Sequence, residues 1–368
     1  TIRQVVQAWL ERQAGHRFEE ARARITKSDI DAANAAANLQ GQLTKPPGAL
    51  GRIEALGIQL AGIAGECPPP VPEPASVTVF AADHGVVDWG VSLWPQEVTA
   101  QMVANFTDGG AAINVLARHA GASVAVVDVG VATPLPEGTS GQVISRPIRK
   151  GTANLAAGPA MSRTDALLAL DVGAEMAERA VGLGARCLVT GEMGIGNTTS
   201  AAAIIAGITN RSPHDITGRG SGADDEMLAR KIAVIEAATV SLSSTAGPLT
   251  LLETVGGFEI AAMVGYIVGG AAEHVPVVVD GVIANAALLV AVQFAPDVID
   301  YVVAGHRSHE PAAGAALDFL GLQPVLDLDL RLGEGTGAAL ALPVVQAAAK
   351  ILREMATFDS AGVSGEKA

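Results

Sequence analysis

The chain has 368 residues, with 38 acidic against 24 basic side chains and a formal net charge of −14. So acidic a surface excludes the basic face that a nucleic-acid backbone demands, and aromatics at 3% leave little with which to stack single-stranded bases. At 49% hydrophobic, much of it alanine, the chain holds enough apolar material for a large core and exceeds one average domain in length. Its two cysteines, Cys67 and Cys187, lack CxxC spacing and imply neither a disulfide framework nor a zinc site.

The acidic net charge suits a cytoplasmic protein, and the first twenty residues are charged and carry no apolar signal core. Val6, Trp9 and Leu10 recur at helical spacing, and Leu50, Ile53, Leu56, Leu60 and Ile63 do so after the turn Lys45-Pro46-Pro47-Gly48. The proline-rich residues 68–74 stop helices and mark a candidate boundary. Beyond it, short β-branched runs alternate with alanine-rich segments of helical character. The runs are residues 77–80, 124–127, 187–189, 277–279, 298–303 and 325–330. Nearly continuous hydrophobics are what parallel strands buried on both faces require, and strand–helix alternation predicts a parallel α/β sheet. The apolar stretch 276–296 is long enough to raise the question of a membrane span, but Asp280, Asn285 and Gln293 interrupt it, and strand followed by helix explains it better. Residues 357–368 are polar and are expected to fray.

Each run ends in glycine with polar residues: Asp83-His84-Gly85, Asp128-Val129-Gly130, Thr190-Gly191-Glu192, Asp280-Gly281, Gly305-His306-Arg307-Ser308 and Gly333-Glu334-Gly335. Ligands of open α/β sheets bind beyond the carboxyl ends of the strands, so these ends should converge on one crevice. Glu334, a lone carboxylate among glycines, is then a candidate general base. The segment from Gly191 to Ser200 reads GxxGxG. It is neither the dinucleotide pattern GxGxxG nor a Walker loop ending in Gly-Lys-Ser/Thr. It leaves two readings, a phosphomonoester held by backbone N–H groups at a helix N-terminus or a plain N-cap by Asn197 or Thr198.

Gly218-Arg219-Gly220-Ser221-Gly222 leads into a helix with Asp224 and Asp225 in its first turn, where Leu228, Ile232 and Ile235 mark the buried stripe. Lys231 lies beside that stripe, either snorkelling to water or reaching a phosphate as a point charge. Seven histidines without HxxxH or HExxH give no reason to expect a metal. His306, His309 and Glu310 enter a loop-to-helix turn, where capping is commoner than metal binding. Residues 277–282 have a strand but one acid only, not the acidic pair that phosphoribosyltransferases using the pyrophosphate-activated sugar place at a strand end.

Together these segments resemble the nicotinate-nucleotide:dimethylbenzimidazole phosphoribosyltransferases, which make the lower-ligand nucleotide of cobalamin. The matching residues, in family order, are Leu43-Thr44-Lys45-Pro46-Pro47-Gly48-Ala49-Leu50-Gly51; Ala82-Asp83-His84-Gly85-Val86; Val91-Ser92 with Pro95-Gln96-Glu97-Val98-Thr99; Gly191-Glu192-Met193-Gly194-Ile195-Gly196-Asn197-Thr198-Thr199; and Arg331-Leu332-Gly333-Glu334-Gly335-Thr336-Gly337. The resemblance implies a large Rossmann-like α/β domain over 75–338 carrying the active site, and a small helical domain built from 1–74 and 339–368. It implies a homodimer; together with the charge, patterning and motifs above, the expectation is small-molecule substrates with no cofactor, no metal, no nucleic-acid partner and no membrane span. The implied reaction moves phosphoribose from nicotinate mononucleotide to 5,6-dimethylbenzimidazole with inversion at C1′, giving α-ribazole 5′-phosphate and nicotinate. The family's catalytic base falls on Glu334. Its nucleotide and phosphate contacts fall on Glu192, Gly194, Gly196, Asn197, Thr198, Lys231, Ser308 and Gly333, and its base pocket on Asp83, Ser92, Gln96 and Gln101. Trp94 stands where a smaller aromatic such as tyrosine is expected, which bears on the choice of base.

Overall fold

The computed structural model describes residues 13–139, 141–220, 222–240, 242 and 246–364; the helical spacing of Val6, Trp9 and Leu10 and the position of Ser221 lie outside them. Strands β1 (Ala75–Ala82), β2 (Ser123–Gly130), β3 (Ile144–Ser145), β4 (Cys187–Met193), β5 (Val277–Val279) and β6 (Val302–Ala304) form one six-stranded sheet. Every pairing is parallel, in the order β3-β2-β1-β4-β5-β6. Helices α1 (His16–Arg24), α2 (Ile30–Gln42) and α3 (Arg52–Ala64) precede β1, while α4 (Glu97–Thr107) and α5 (Ala112–His119) join β1 to β2. Helix α6 (Arg163–Gly182) joins β3 to β4. Between β4 and β5 come α7 (Asn197–Thr209), α8 (Pro213–Ile216), α9 (Asp225–Val240), α10 (Pro248–Val255) and α11 (Phe258–Ala272). Helix α12 (Val282–Phe294) joins β5 to β6, and α13 (Pro311–Leu320), α14 (Thr336–Glu354) and α15 (Phe358–Ala361) follow.

Side chains of a strand alternate between faces, and here both faces are apolar. Phe80, Leu188, Val277 and Val279 enter the core beneath α11 and α12, while Val77, Val79, Val189, Val278 and Val303 enter the core shared with α4, α5 and α14. Each such fully buried side chain stabilises the fold by roughly 1.5–3 kcal/mol relative to exposure, which is why these runs read as continuous hydrophobics. A third, small cluster of Ala36, Leu43, Ala61 and Leu352 ties α2 and α3 to the end of α14. Helix α1 packs elsewhere, on α6 and α11.

The α/β class and the parallel sheet expected from the sequence are present, with three differences in detail. Residues 298–303 are not one strand. Pro296 opens a 3-10 turn, Pro296–Tyr301, and only Val302–Ala304 pairs with β5. Residues 325–330 form no strand beyond one isolated bridge from Leu326 to His306, so Glu334 follows an irregular segment. Strand β3 is too short to leave a hydrophobic run in the sequence. Of the tail expected to fray, Thr357 bridges back to Leu43 and caps α15, while residues 365–368 lie outside the described residues. Among the described residues no helix is long and apolar enough to cross a membrane, and residues 276–296 divide into β5 and α12 as the interrupted pattern suggested.

Candidate active site

The chain leaves β1 toward β2 and β3 on one side and later returns to lay β4, β5 and β6 on the other. The strand order therefore switches between β1 and β4, and at such a point the connections diverge and leave a crevice. A cavity of about 480 Å³ opens there, lined by the ends of β4 and β5, the N-terminus of α7, and the turns before α13 and α14. A larger cleft of about 1120 Å³ lies beside α1 and α6, away from these ends. Its charges are already matched within the protein, as Arg17 with Glu178 and Arg146 with Glu175, so it offers no comparable set of convergent groups.

The turn carrying Glu334 has an unusual backbone. Gly333, Glu334 and Gly335 all have positive φ, at 86°, 64° and 93°. For Glu334 this left-handed conformation costs about 1–2 kcal/mol, and its neighbours hold it in place. Its N–H donates to Glu192 Oε1 at 3.4 Å, and its carbonyl packs against Gly191 so tightly that a Cβ on Gly191 would lie 2.6 Å away. Asp280, at the end of β5, accepts the N–H groups of Gly335 at 3.2 Å and Ala338 at 3.0 Å, so it caps α14 directly after the turn. The Glu334 side chain is only 5% exposed, and its Oε2 accepts the N–H of Ile113 in the first turn of α5 at 3.2 Å. Burial raises its pKa above the ordinary range, and the Ile113 hydrogen bond opposes that rise.

Carboxylates crowd this part of the site. Glu192 at the end of β4 is pushed up to about 8 by burial and by the nearby charges of Glu259 and Asp280, against the pull of its bonds from Asn197 and Glu334. Asp280 is raised to about 6, by burial first, despite the backbone N–H groups it caps. One layer below, His84 Nε2 and Glu259 Oε1 meet at 2.7 Å with both residues fully buried. Burial opposes charge on His84, but the Glu259 carboxylate outweighs it and raises the imidazole pKa. The arrangement complements a ligand that carries or develops positive charge.

Contacts lead from Glu192 toward a cationic group. Asn197 Nδ2 donates to Glu192 Oε2 at 2.5 Å, and the next residue, Thr198, accepts a bond from Lys231 Nζ at 3.1 Å through Oγ1. These residues start α7, whose N-cap Gly196 has φ 95° and whose positive dipole end favours an anion. Lys231 also donates to the Gly218 carbonyl at 3.1 Å and is 2% exposed. Burial lowers its pKa, offset by Glu310. The stripe of α9 differs from the sequence expectation. Met227, Lys231, Val234, Ile235 and Ala238 are buried, while Leu228 and Ile232 are only half-buried, so Lys231 stands on the buried face itself and points into the cavity.

Of the expected site residues, Ser92, Glu192, Gly194, Gly196, Asn197, Thr198, Lys231, Ser308, Gly333 and Glu334 line this one cavity. Asp83, Gln96 and Gln101 do not. Asp83 is fully buried, its Oδ2 accepting the Ala132 N–H at 2.8 Å, where it ties the end of β1 to the segment after β2. Gln96 is half-buried and Gln101 exposed at and near the start of α4. Sequence reasoning assigned no site role to Asp280, Glu310, Met102 or Leu332, which also line the cavity. Asp280 had a usable signal, since it is the acid at a strand's carboxyl end; Glu310 and Leu332 arrive on the turns before α13 and α14, and Met102 on α4, where residue type alone does not separate a cavity wall from a core. The apolar wall comprises Val91, Leu93, Trp94, Met102 and Leu332, and it suits a flat aromatic ring. Among the described residues no three His, Cys, Asp or Glu side chains come together as a metal site.

A phosphoribosyltransferase family model matches residues 25–363. The chain is 52% identical over 360 residues to the nicotinate-nucleotide–dimethylbenzimidazole phosphoribosyltransferase of Salinispora tropica, covering 94% of this chain and 99% of that protein. The enzyme of the same name from Chloroflexus aggregans is 54% identical over 340 residues, covering 92% and 96%. The crystal structure of the Thermus thermophilus protein of that name superposes with a TM-score of 0.87 at 46% identity, over 92% of this chain and 100% of that one. Sharing half its residues and nearly its full backbone with these proteins, the chain belongs to the nicotinate-nucleotide:dimethylbenzimidazole phosphoribosyltransferase family.

Proposed function

We propose that this chain catalyses its family's reaction in the cavity at the β1/β4 switch point, with Glu334 as general base and Lys231 and the start of α7 as the phosphate anchor. Phosphoribose passes from nicotinate mononucleotide to 5,6-dimethylbenzimidazole, giving α-ribazole 5′-phosphate and nicotinate for the nucleotide loop of cobalamin. The observation that carries the residue assignment is the joining of a buried, backbone-held carboxylate and a buried lysine at a helix N-terminus within one cavity.

The chemistry fits that pairing. Nicotinate leaves from a pyridinium: the C1′–N bond breaks, its electron pair stays on the ring nitrogen, and the ring departs without needing a proton. One key carboxylate therefore suffices where a glycosidase needs two. An imidazole nitrogen of the acceptor attacks C1′ from the opposite face, which inverts the configuration, and becomes cationic. The other ring nitrogen then gives its proton to Glu334. The surrounding carboxylates favour positive charge as it develops. Glu192, mostly protonated at neutral pH, adds polar oxygens there without a full further negative charge. Binding the 5′-phosphate at Lys231 and α7, through groups that take no part in bond making, fixes the sugar for attack.

Ser92 and Trp94 bound the face of the cavity assigned to the acceptor ring. The protein is further proposed to act in the cytoplasm as a homodimer. Trp89, Leu93, Trp94 and Leu332, each more than half exposed, supply apolar surface of the kind that subunit contacts cover. The deciding assay mixes nicotinate mononucleotide with 5,6-dimethylbenzimidazole and follows nicotinate release and the configuration of the product. Release without an α-configured nucleotide, or no release at all, would overturn the reading.

A further inference from the structure

Lys231 is a long, flexible side chain, and an ammonium is a point charge with no preferred orientation of its own. Something must aim it. Two of its three N–H donors are engaged by Thr198 Oγ1 and the Gly218 carbonyl, both at 3.1 Å. Thr198 stands on α7, a rigid element. Gly218 lies in the irregular stretch between α8 and α9, which has no ladder to hold it.

Local bonds from Gly222 and Ala223 to the Arg219 carbonyl turn the stretch into α9, and further support for its Gly218–Gly220 part comes from across the cavity. Glu310, the residue before α13, is 7% exposed, and its Oε1 accepts the N–H of Gly220 at 2.9 Å. Gly218 packs against the same carboxylate so closely that a Cβ there would lie 1.8 Å from Oε2. Although Glu310 occupies the N-cap position of α13, its side chain makes no capping bond; it turns instead to the 218–220 segment. Glu310, Gly220, Thr198, Lys231 and Ser308 all line the cavity, and Ser308 Oγ accepts the Glu310 N–H at 3.3 Å. A buried carboxylate beside a phosphate site repels the ligand unless it does something for the site that offsets the repulsion. The contacts show what that is.

We propose that Glu310 is a positioning residue for the nucleotide's phosphate: its carboxylate clamps the 218–220 segment, and the Gly218 carbonyl then holds the Lys231 ammonium toward the cavity. The proposal rests on the assignment of Lys231 to the phosphate. Its negative charge also helps keep the buried ammonium protonated, since burial lowers the lysine's pKa and Glu310 opposes that.

The test measures nicotinate mononucleotide binding by calorimetry and steady-state kinetics on the full chain. Glu310→Ala is expected to weaken the nucleotide about tenfold, the scale of one lost charged hydrogen bond, while the KM for the benzimidazole stays near wild type. Glu310→Gln, which keeps an acceptor for Gly220, should recover part of that loss. Gly218→Ala tests the same contact if Glu310→Ala does not fold. Its methyl group pushes away only the end of a flexible side chain, so nucleotide affinity should fall with Glu310 still present. Combined with Lys231→Ala, loss of Glu310 should add little, because both act through one contact chain. If Lys231→Ala weakens the nucleotide but Glu310→Ala leaves it unchanged, tightens it, or adds its full effect to that of Lys231→Ala, Glu310 has no positioning role. If Lys231→Ala itself leaves nucleotide affinity unchanged, the phosphate assignment falls and this proposal with it.

Discussion

Glu334 combines three properties that a catalytic base needs: burial, a raised pKa, and a carboxylate fixed from two sides, by Ile113 on its side chain and Glu192 on its backbone. Glu334→Gln preserves the shape and loses the ability to take a proton. Turnover should fall on the order of a hundredfold to ten-thousandfold, with the affinity of both substrates kept, because the proton moves only as the reaction proceeds. A near-wild-type turnover number for this variant would remove Glu334 from the mechanism. Glu192 makes a different prediction. Its folded pKa of about 8 lies above the ordinary 4.5, so between these values the folded state binds a proton that the unfolded chain has lost. The contribution of Glu192 to stability therefore falls as pH rises through that window. Glu192→Gln removes the titration, so the difference in Tm between variant and wild type should move in the variant's favour from about pH 5 to about pH 8. Melting curves that stay parallel across that range would show that Glu192 ionises normally.

Elements reach this site chiefly through their ends. The turn before α14 is the clearest case, because its three left-handed residues are enclosed by the ends of β4 and β5. Gly333 has φ 86°, and a Cβ there would lie 2.2 Å from Glu192 Oε1. Gly333→Ala should therefore cost about 1–2 kcal/mol in backbone strain and also push Glu192 away from the Glu334 N–H. Turnover should fall further than thermal stability alone explains; an active variant with only a lowered Tm would show that the turn tolerates the shift. The glycines around Glu334 are legible as a tight turn from residue type and spacing alone. What surrounds them is not, because Asp280 reaches Gly335 across 55 residues of chain and Glu192 reaches Glu334 across 142, and no local spacing records such a contact. The expected strand at 325–330 failed for a related reason. Its residues run beside the end of β6 and the turn after it through a few backbone hydrogen bonds, of which one qualifies as a bridge, with Asp327 and Asp329 facing solvent.

Across the whole molecule, the order β3-β2-β1-β4-β5-β6 places the cavity where the two halves of the sheet diverge, and the apolar side chains Trp89, Leu93, Trp94 and Leu332 stand exposed on segments that border or flank it. Sedimentation of the purified chain should give a dimer of identical subunits. Replacing Trp89 and Leu93 together by serine should shift the distribution toward the monomer if this surface is the contact. A monomer at all concentrations would refute the dimer, and an unchanged dimer in the double variant would move the interface elsewhere.

By itself the sequence determined the class of the sheet, since strands buried on both faces must be hydrophobic throughout, and that requirement is local and readable. It also marked Glu334 and the glycine-rich segment after β4 as candidates, because tight turns and helix N-termini leave residue-type signatures. Only the tertiary structure decided that Lys231 lies on the buried face of α9, that Asp83 serves as a tie between strand ends while Gln96 and Gln101 stay outside the cavity, and that Asp280 and Glu310 accept backbone N–H groups from the turns at Gly335 and Gly220. These facts depend on which distant loops share one crevice, and burial and charge in that crevice are sums over all of them, which no single stretch of sequence contains.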